Sequence, residues 1–214
     1  MINFMMIGVI VFLYLKFLCP DWKLGLGKDG LTGGLKKYGV IGVFAALAGF
    51  VAFFVGLFPF DNHSSIAKVV VEGIVYYVGG AIVEELYVCG LLMGLIEKMF
   101  AKRKISTLIA VVSSAVIFGA RHIFGTLGQS PFVIVSKVVW TVGMGIFFGM
   151  VYKKTENLWV PIIFHFLVNI CALPYQFSNI NGYVDITLYI IVPVYIVLGI
   201  YSIFELKKGS EKMR

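Results

Sequence analysis

Gly79-Gly80-Ala81-Ile82-Val83-Glu84-Glu85-Leu86-Tyr87-Val88-Cys89-Gly90 sets two adjacent carboxylates inside an apolar run from about Ile66 to about Ile96. A run of that length crosses a bilayer as a helix and puts Glu84 and Glu85 near its middle. A charge at that depth costs roughly 2.5–3.5 kcal/mol on insertion scales, and a pair costs more unless it finds partners or a proton. Such groups usually face a wet interior and carry function. Few polar side chains are at hand to meet them, and the clearest are His122, His165 and Asn169.

The rest of the chain extends this reading. It is 214 residues long, 60% hydrophobic and only 14% charged, a composition outside the range of soluble domains. We expect one transmembrane domain over 1–214, an all-α polytopic helical bundle lying in a lipid bilayer. About seven spans can be drawn, near 2–18, 38–59, 67–96, 105–122, 132–152, 158–174 and 184–204. The apolar N-terminal stretch has no basic residues before it and no clear cleavage site after it, so it reads as a retained first helix and not a signal peptide.

Charge then orients the bundle. The net charge of +7 would suggest nucleic acid in a soluble protein, but here the basic residues fall in short connections between spans. Fifteen of the eighteen lie at one end, around Lys16–Lys37, Lys98–Lys104, Lys153–Lys154 and Lys207–Arg214. Only Lys68 and Arg121 lie at the other end, and Lys137 falls within a span. By the positive-inside rule the basic end is cytoplasmic, with the N-terminus out and the C-terminus in. No nucleic-acid partner is expected.

Other features are weaker. Cys19, Cys89 and Cys171 fit no zinc motif and no disulfide framework. A Gly-x-Gly-x-x-Gly occurs at Gly25, Gly27 and Gly30, but no strand precedes it, so the segment reads as a flexible cytoplasmic loop. Gly42/Ala46, Ala45/Gly49 and Gly145/Gly149 have the small-xxx-small spacing of close helix packing. No internal repeat stands out, which weakens a transporter built on inverted repeats.

Two helical pairs complete the constellation. Phe118 and His122 are four residues apart at the end of the fourth span, and His165 and Asn169 are four apart within the sixth. Each pair therefore shares a helix face. A third histidine, His63, sits in the short outer connection and has no evident task. A lone histidine on an apolar helix is more often structural, but with a buried Glu pair these groups can satisfy one another. In an apolar site a carboxylate can take a proton from water near neutral pH. Neutral imidazoles can orient that water, and an Asn amide is a natural oxyanion donor. Glu84, His122 and His165 also make a zinc ligand set with an open position. Zinc and a metal-free, Glu-activated water both remain open. Amide hydrolysis inside the membrane uses all of these groups. There is no His-Glu-x-x-His, no aspartate dyad within a span and no serine in a glycine-flanked turn.

At these positions the chain resembles the CPBP family, the CAAX-protease, Abi and bacteriocin-processing group of intramembrane proteases. The family pattern is Glu-Glu-x-x-x-Arg, then Phe-x-x-x-His, then His-x-x-x-Asn/Asp, each on its own helix. Here it maps to Glu84-Glu85, Phe118 with His122, and His165 with Asn169, across a core of about 75–172. Asn157-Leu158-Trp159-Val160-Pro161 looks like the lead-in to the third motif. The resemblance implies that Glu84 activates water, with His122 and His165 assisting, Glu85 supporting and Asn169 stabilising the oxyanion. It also implies a hydrophobic peptide or membrane protein as substrate, in what looks like a bacterial cell membrane; oligomeric state stays open.

One position departs from the pattern. Cys89 stands where the family has arginine. We infer that the arginine holds the second carboxylate, a task we do not expect of Cys89; Arg121 could supply the charge from the next helix. Two other readings stay open: a catalytically degenerate member serving bacteriocin self-immunity or a peptide exporter, and a small proton-coupled transporter.

Overall fold

Long apolar runs broken by short polar connections leave the backbone one way to satisfy its hydrogen bonds in lipid, the helix. The computed structural model describes residues 2–18, 22–60, 65–179 and 184–211, and contains no strand among them. Cys19, Asp21 and the connection with His63 lie outside the described residues. The helices are α1 (Ile2–Leu18), α2 (Leu31–Leu57), α3 (Ile66–Glu85), α4 (Met93–Met99), α5 (Ser106–Arg121), α6 (Pro131–Thr155), α7 (Trp159–Ile170) and α8 (Asp185–Glu211). A π-helical segment, Leu86–Leu92, joins α3 to α4. Single 3₁₀ turns extend α5 over His122–Thr126 and follow α7 over Leu173–Phe177.

Six of these segments are long and apolar enough to cross a membrane: Leu31–Leu57, Ile66–Met99, Ser106–Thr126, Pro131–Thr155, Trp159–Phe177 and Asp185–Lys208. The first expected span coincides with α1, which is shorter. The second begins earlier than expected, because α2 carries Lys36 and Lys37 in its opening turns.

α6 is the centre of the bundle. Two thirds of its span is buried (67%), against 12% for Ile66–Met99, which lies at the periphery. Ser130 opens α6 by accepting a hydrogen bond from Val133 N at 3.3 Å, and Pro131 follows at the first helical position, where its missing N–H is no loss. α6 packs against α5 and α8, and α2 against α7 and α8. Gly145 and Gly149 face Ala115 and Val111 of α5, so this small-xxx-small pair does serve internal packing.

The basic end is closed by hydrogen bonds to the carbonyls of a loop. The loop before α2 was expected to be flexible; instead it is bound to the α6–α7 turn. Asn157, fully buried, donates from Nδ2 to Gly27 O and Asp29 O, both at 2.8 Å. Trp159 Nε1 donates to Leu26 O at 2.9 Å, and Leu158 N to Gly25 O at 3.1 Å. Gly25 and Gly30 have φ of +65° and +76°, and a Cβ there would lie 1.8 Å from Glu156 O and 2.1 Å from Thr155 O. The glycines are needed for close approach as well as for a left-handed backbone.

Candidate active site

The Glu pair closes the regular part of α3. Adjacent helical residues point about 100° apart, so the two carboxylates look in different directions. Glu84 lines a cavity of about 290 Å³ and is 13% exposed, whereas Glu85 is buried at 2%. The helix then widens into its π-helical segment, a distortion that often marks functional sites.

His165 joins the two acids. Its Nδ1 lies 2.7 Å from Glu85 Oε1, and its Nε2 lies 3.4 Å from Glu84 Oε2. The ring is buried and stacks on Phe148, with centroids 5.2 Å apart at 29°. A neutral imidazole can donate through only one of its nitrogens. The shorter Nδ1 contact makes Glu85 the hydrogen-bond partner of the ring, and Arg121 supplies a positive charge beside Glu84. Arg121 Nη2 donates to Glu84 Oε1 at 2.5 Å, so its side chain reaches the first carboxylate, where the sequence had offered it to the second.

The second carboxylate has another partner. Cys89 Sγ donates to Glu85 Oε2 at 3.0 Å, from within the π-helical segment. The expectation that cysteine could not hold Glu85 is therefore corrected. A neutral thiol takes the i,i+4 place of the family's charged group, and it suits a carboxylate already bonded to His165.

Phe118 ties the second motif to the third. Its ring lies edge-on to both His122 (4.7 Å) and His165 (6.2 Å). Its backbone carbonyl accepts from His122 Nδ1 at 2.9 Å. A carbonyl oxygen only accepts, so Nδ1 carries the proton and Nε2 of the neutral ring is an acceptor. His122, His165 and Asn169 line the same cavity as Glu84. The fourth span had been expected to end at His122; the 3₁₀ turn carries it on to Thr126, which sets His122 deeper than the sequence placed it.

No group of three or more His, Cys, Asp or Glu among the described residues is disposed to hold a metal ion. The set Glu84, His122 and His165 does not fit one in this arrangement. Arg121 already engages Glu84, and its charge would oppose a divalent cation.

Sequence reasoning assigned no part to several other residues of the wall. Tyr76 and Tyr77 of α3, Phe53 of α2, Tyr175, and Lys137 with Trp140 on α6 all line the cavity. Lys137 carried a usable signal, a charge within an apolar span. The wall residues of α2 and α7 come late in each helix, His122 follows the end of α5, and those of α6 and α8 come early. The cavity therefore occupies the half of the bundle away from the basic end.

Residues 66–171 match the family model described as type II CAAX prenyl endopeptidase Rce1-like. Among curated proteins and among solved structures, no significant match to the chain was found.

Proposed function

From a chain that belongs to the type II CAAX prenyl endopeptidase Rce1-like family, and so to a family of integral multi-pass membrane proteases, we propose an endopeptidase that cleaves hydrophobic or membrane-associated peptides with a water activated by Glu84. One observation carries this reading: Glu84 opens onto a cavity that His122, His165 and Asn169 also line, while His165 links it to a buried second carboxylate.

The geometry supports the following roles. Glu84 takes a proton from a water in the cavity, and the oxygen attacks the scissile carbonyl carbon. His122 Nε2, an acceptor, orients that water. The Asn169 amide donates to the oxyanion that forms. When the C–N bond breaks, Glu84 returns its proton to the leaving amine, so protons balance within one turnover. Glu85 and Cys89 do not touch the cavity; they hold His165, and His165 with Arg121 holds Glu84.

Orientation bears on the substrate. With the basic end cytoplasmic, the cavity opens toward the outer half of the membrane. That side suits a hydrophobic leader, pheromone or bacteriocin precursor better than a prenylated cytoplasmic C-terminus.

Purified protein in liposomes, offered a hydrophobic peptide library read by mass spectrometry, tests the proposal. We expect defined cleavage that is lost in Glu84→Ala and insensitive to a zinc chelator. Cleavage abolished by the chelator and restored by zinc would replace the bare-water mechanism. If Glu84→Ala kept full cellular function, the degenerate reading, with service in self-immunity or export, would stand instead.

A further inference from the structure

The proteolytic site leaves one charged residue of the wall without a role. Lys137 lies on α6 with Trp140, Thr141 and Met144, and all four line the cavity. It sits six residues after Pro131, about 9 Å down the helix at the helical rise. A cation at that depth is costly, and intramembrane ionisable residues mark substrate or ion sites by default.

The geometry argues against simple escape of the side chain to the membrane surface. Lys137 Nζ lies 4.1 Å from the ring centroid of Trp140, a buried residue one turn further along the helix. A cation–π contact of that kind fixes the ammonium on the cavity wall. Trp140 adds an independent observation. Among the described residues its Nε1 is a buried donor with no hydrogen-bond partner, a condition that costs about 1–3 kcal/mol. An acceptor brought to this wall would satisfy that donor and lie beside the Lys137 ammonium. The other titratable residues lining the cavity are Tyr76, Tyr77, Glu84, His122, His165 and Tyr175.

We propose that Lys137 is a specificity-determining residue that receives a carboxylate of the bound peptide, beside the bond that Glu84 hydrolyses. The inference rests on the proteolytic reading of the same cavity. A hydrophobic peptide has two sources of a carboxylate: its own C-terminus, or an acidic side chain near the cut. Cavity size restricts either source to within a few residues of the reacting carbonyl.

The test compares wild type, Lys137→Met and Lys137→Arg in full-length protein. The probes are hydrophobic peptides in three matched forms: a free C-terminal carboxylate, a C-terminal amide, and the amide with one internal Glu in place of Gln. For wild type we expect a KM about tenfold lower for one carboxylate form than for the plain amide, the size of a single good charge-assisted contact. Whichever form is preferred identifies the source. Lys137→Met should erase that ratio through KM, and Lys137→Arg should restore most of it, a pattern that a merely structural lysine would not give. An unchanged ratio in Lys137→Met, or no preference in wild type, overturns the proposal. Binding of the fluorescent peptides is measured in parallel. Failure to cleave any form then counts against the proteolytic reading, while the binding ratio still decides the role of Lys137.

Discussion

At the basic end of the bundle, the carbonyls of the loop 22–30 accept from Asn157, Leu158 and Trp159 at the α6–α7 turn, with glycines where no Cβ would fit. In the opposite half, the helices part around a cavity whose wall carries a carboxylate, two histidines, an asparagine and a lysine. The first region is organised around loop carbonyls and close backbone approach, and tolerates little change. The second is organised through side chains that need one another more than they need the scaffold. The contrast explains how a bundle can keep buried charges in place. The closed end fixes α6 against α7, and α7 brings His165 to the Glu pair on the peripheral helix.

The division can be broken from either side. Beyond Glu84 itself, the largest effect is expected at His165, which bridges both acids. His165→Ala should lower kcat by about 10³-fold, within the range for loss of an acid–base partner, while peptide binding persists. Glu85→Ala comes next, because it leaves His165 Nδ1 and the Cys89 thiol without their acceptor. A loss of about 1–3 kcal/mol in stability is expected, together with reduced kcat, measurable by thermal unfolding in detergent and by peptide turnover. Gly25→Ala should behave in the opposite way. Strain at positive φ and overlap with Glu156 O should cost about 1–3 kcal/mol, with turnover per folded molecule unchanged. If Gly25→Ala altered kcat as much as stability, the two ends would not be separable. The smallest effect belongs to Cys89. Cys89→Ala should cost about 1 kcal/mol or less, and Cys89→Ser should be close to neutral because a hydroxyl can make the same donation to Glu85.

Much of this was legible before the fold. Apolar runs show where helices are, and Glu84, Glu85, His122, His165 and Asn169 stand out because polar groups are expensive in such runs. The structure brings four of these onto one cavity and Glu85 immediately behind it. What escaped was whatever depends on contacts between distant segments. Asn157 bonds to residues about 130 positions away, and local composition carries no trace of that. Gly25 and Gly30 look flexible in sequence because glycine serves mobile loops and tightly fitted ones alike. Arg121, at the end of its span, could have faced either way, and only the fold, which brings the end of α5 within reach of Glu84, turns it there. Cys89 was judged by its lack of charge. Its partner already has a second donor in His165, so a charge was not required.

The central claim is that Glu84 activates water while Glu85 supports from behind. It is tested most directly by measuring kcat and peptide affinity for Glu84→Gln and Glu85→Gln side by side, in folded protein, on one cleaved peptide. The account predicts that Glu84→Gln loses at least about 10³-fold in kcat with affinity retained, and that Glu85→Gln keeps measurable turnover. Substantial turnover by Glu84→Gln, or a Glu85→Gln defect equal to or deeper than that of Glu84→Gln, would contradict it.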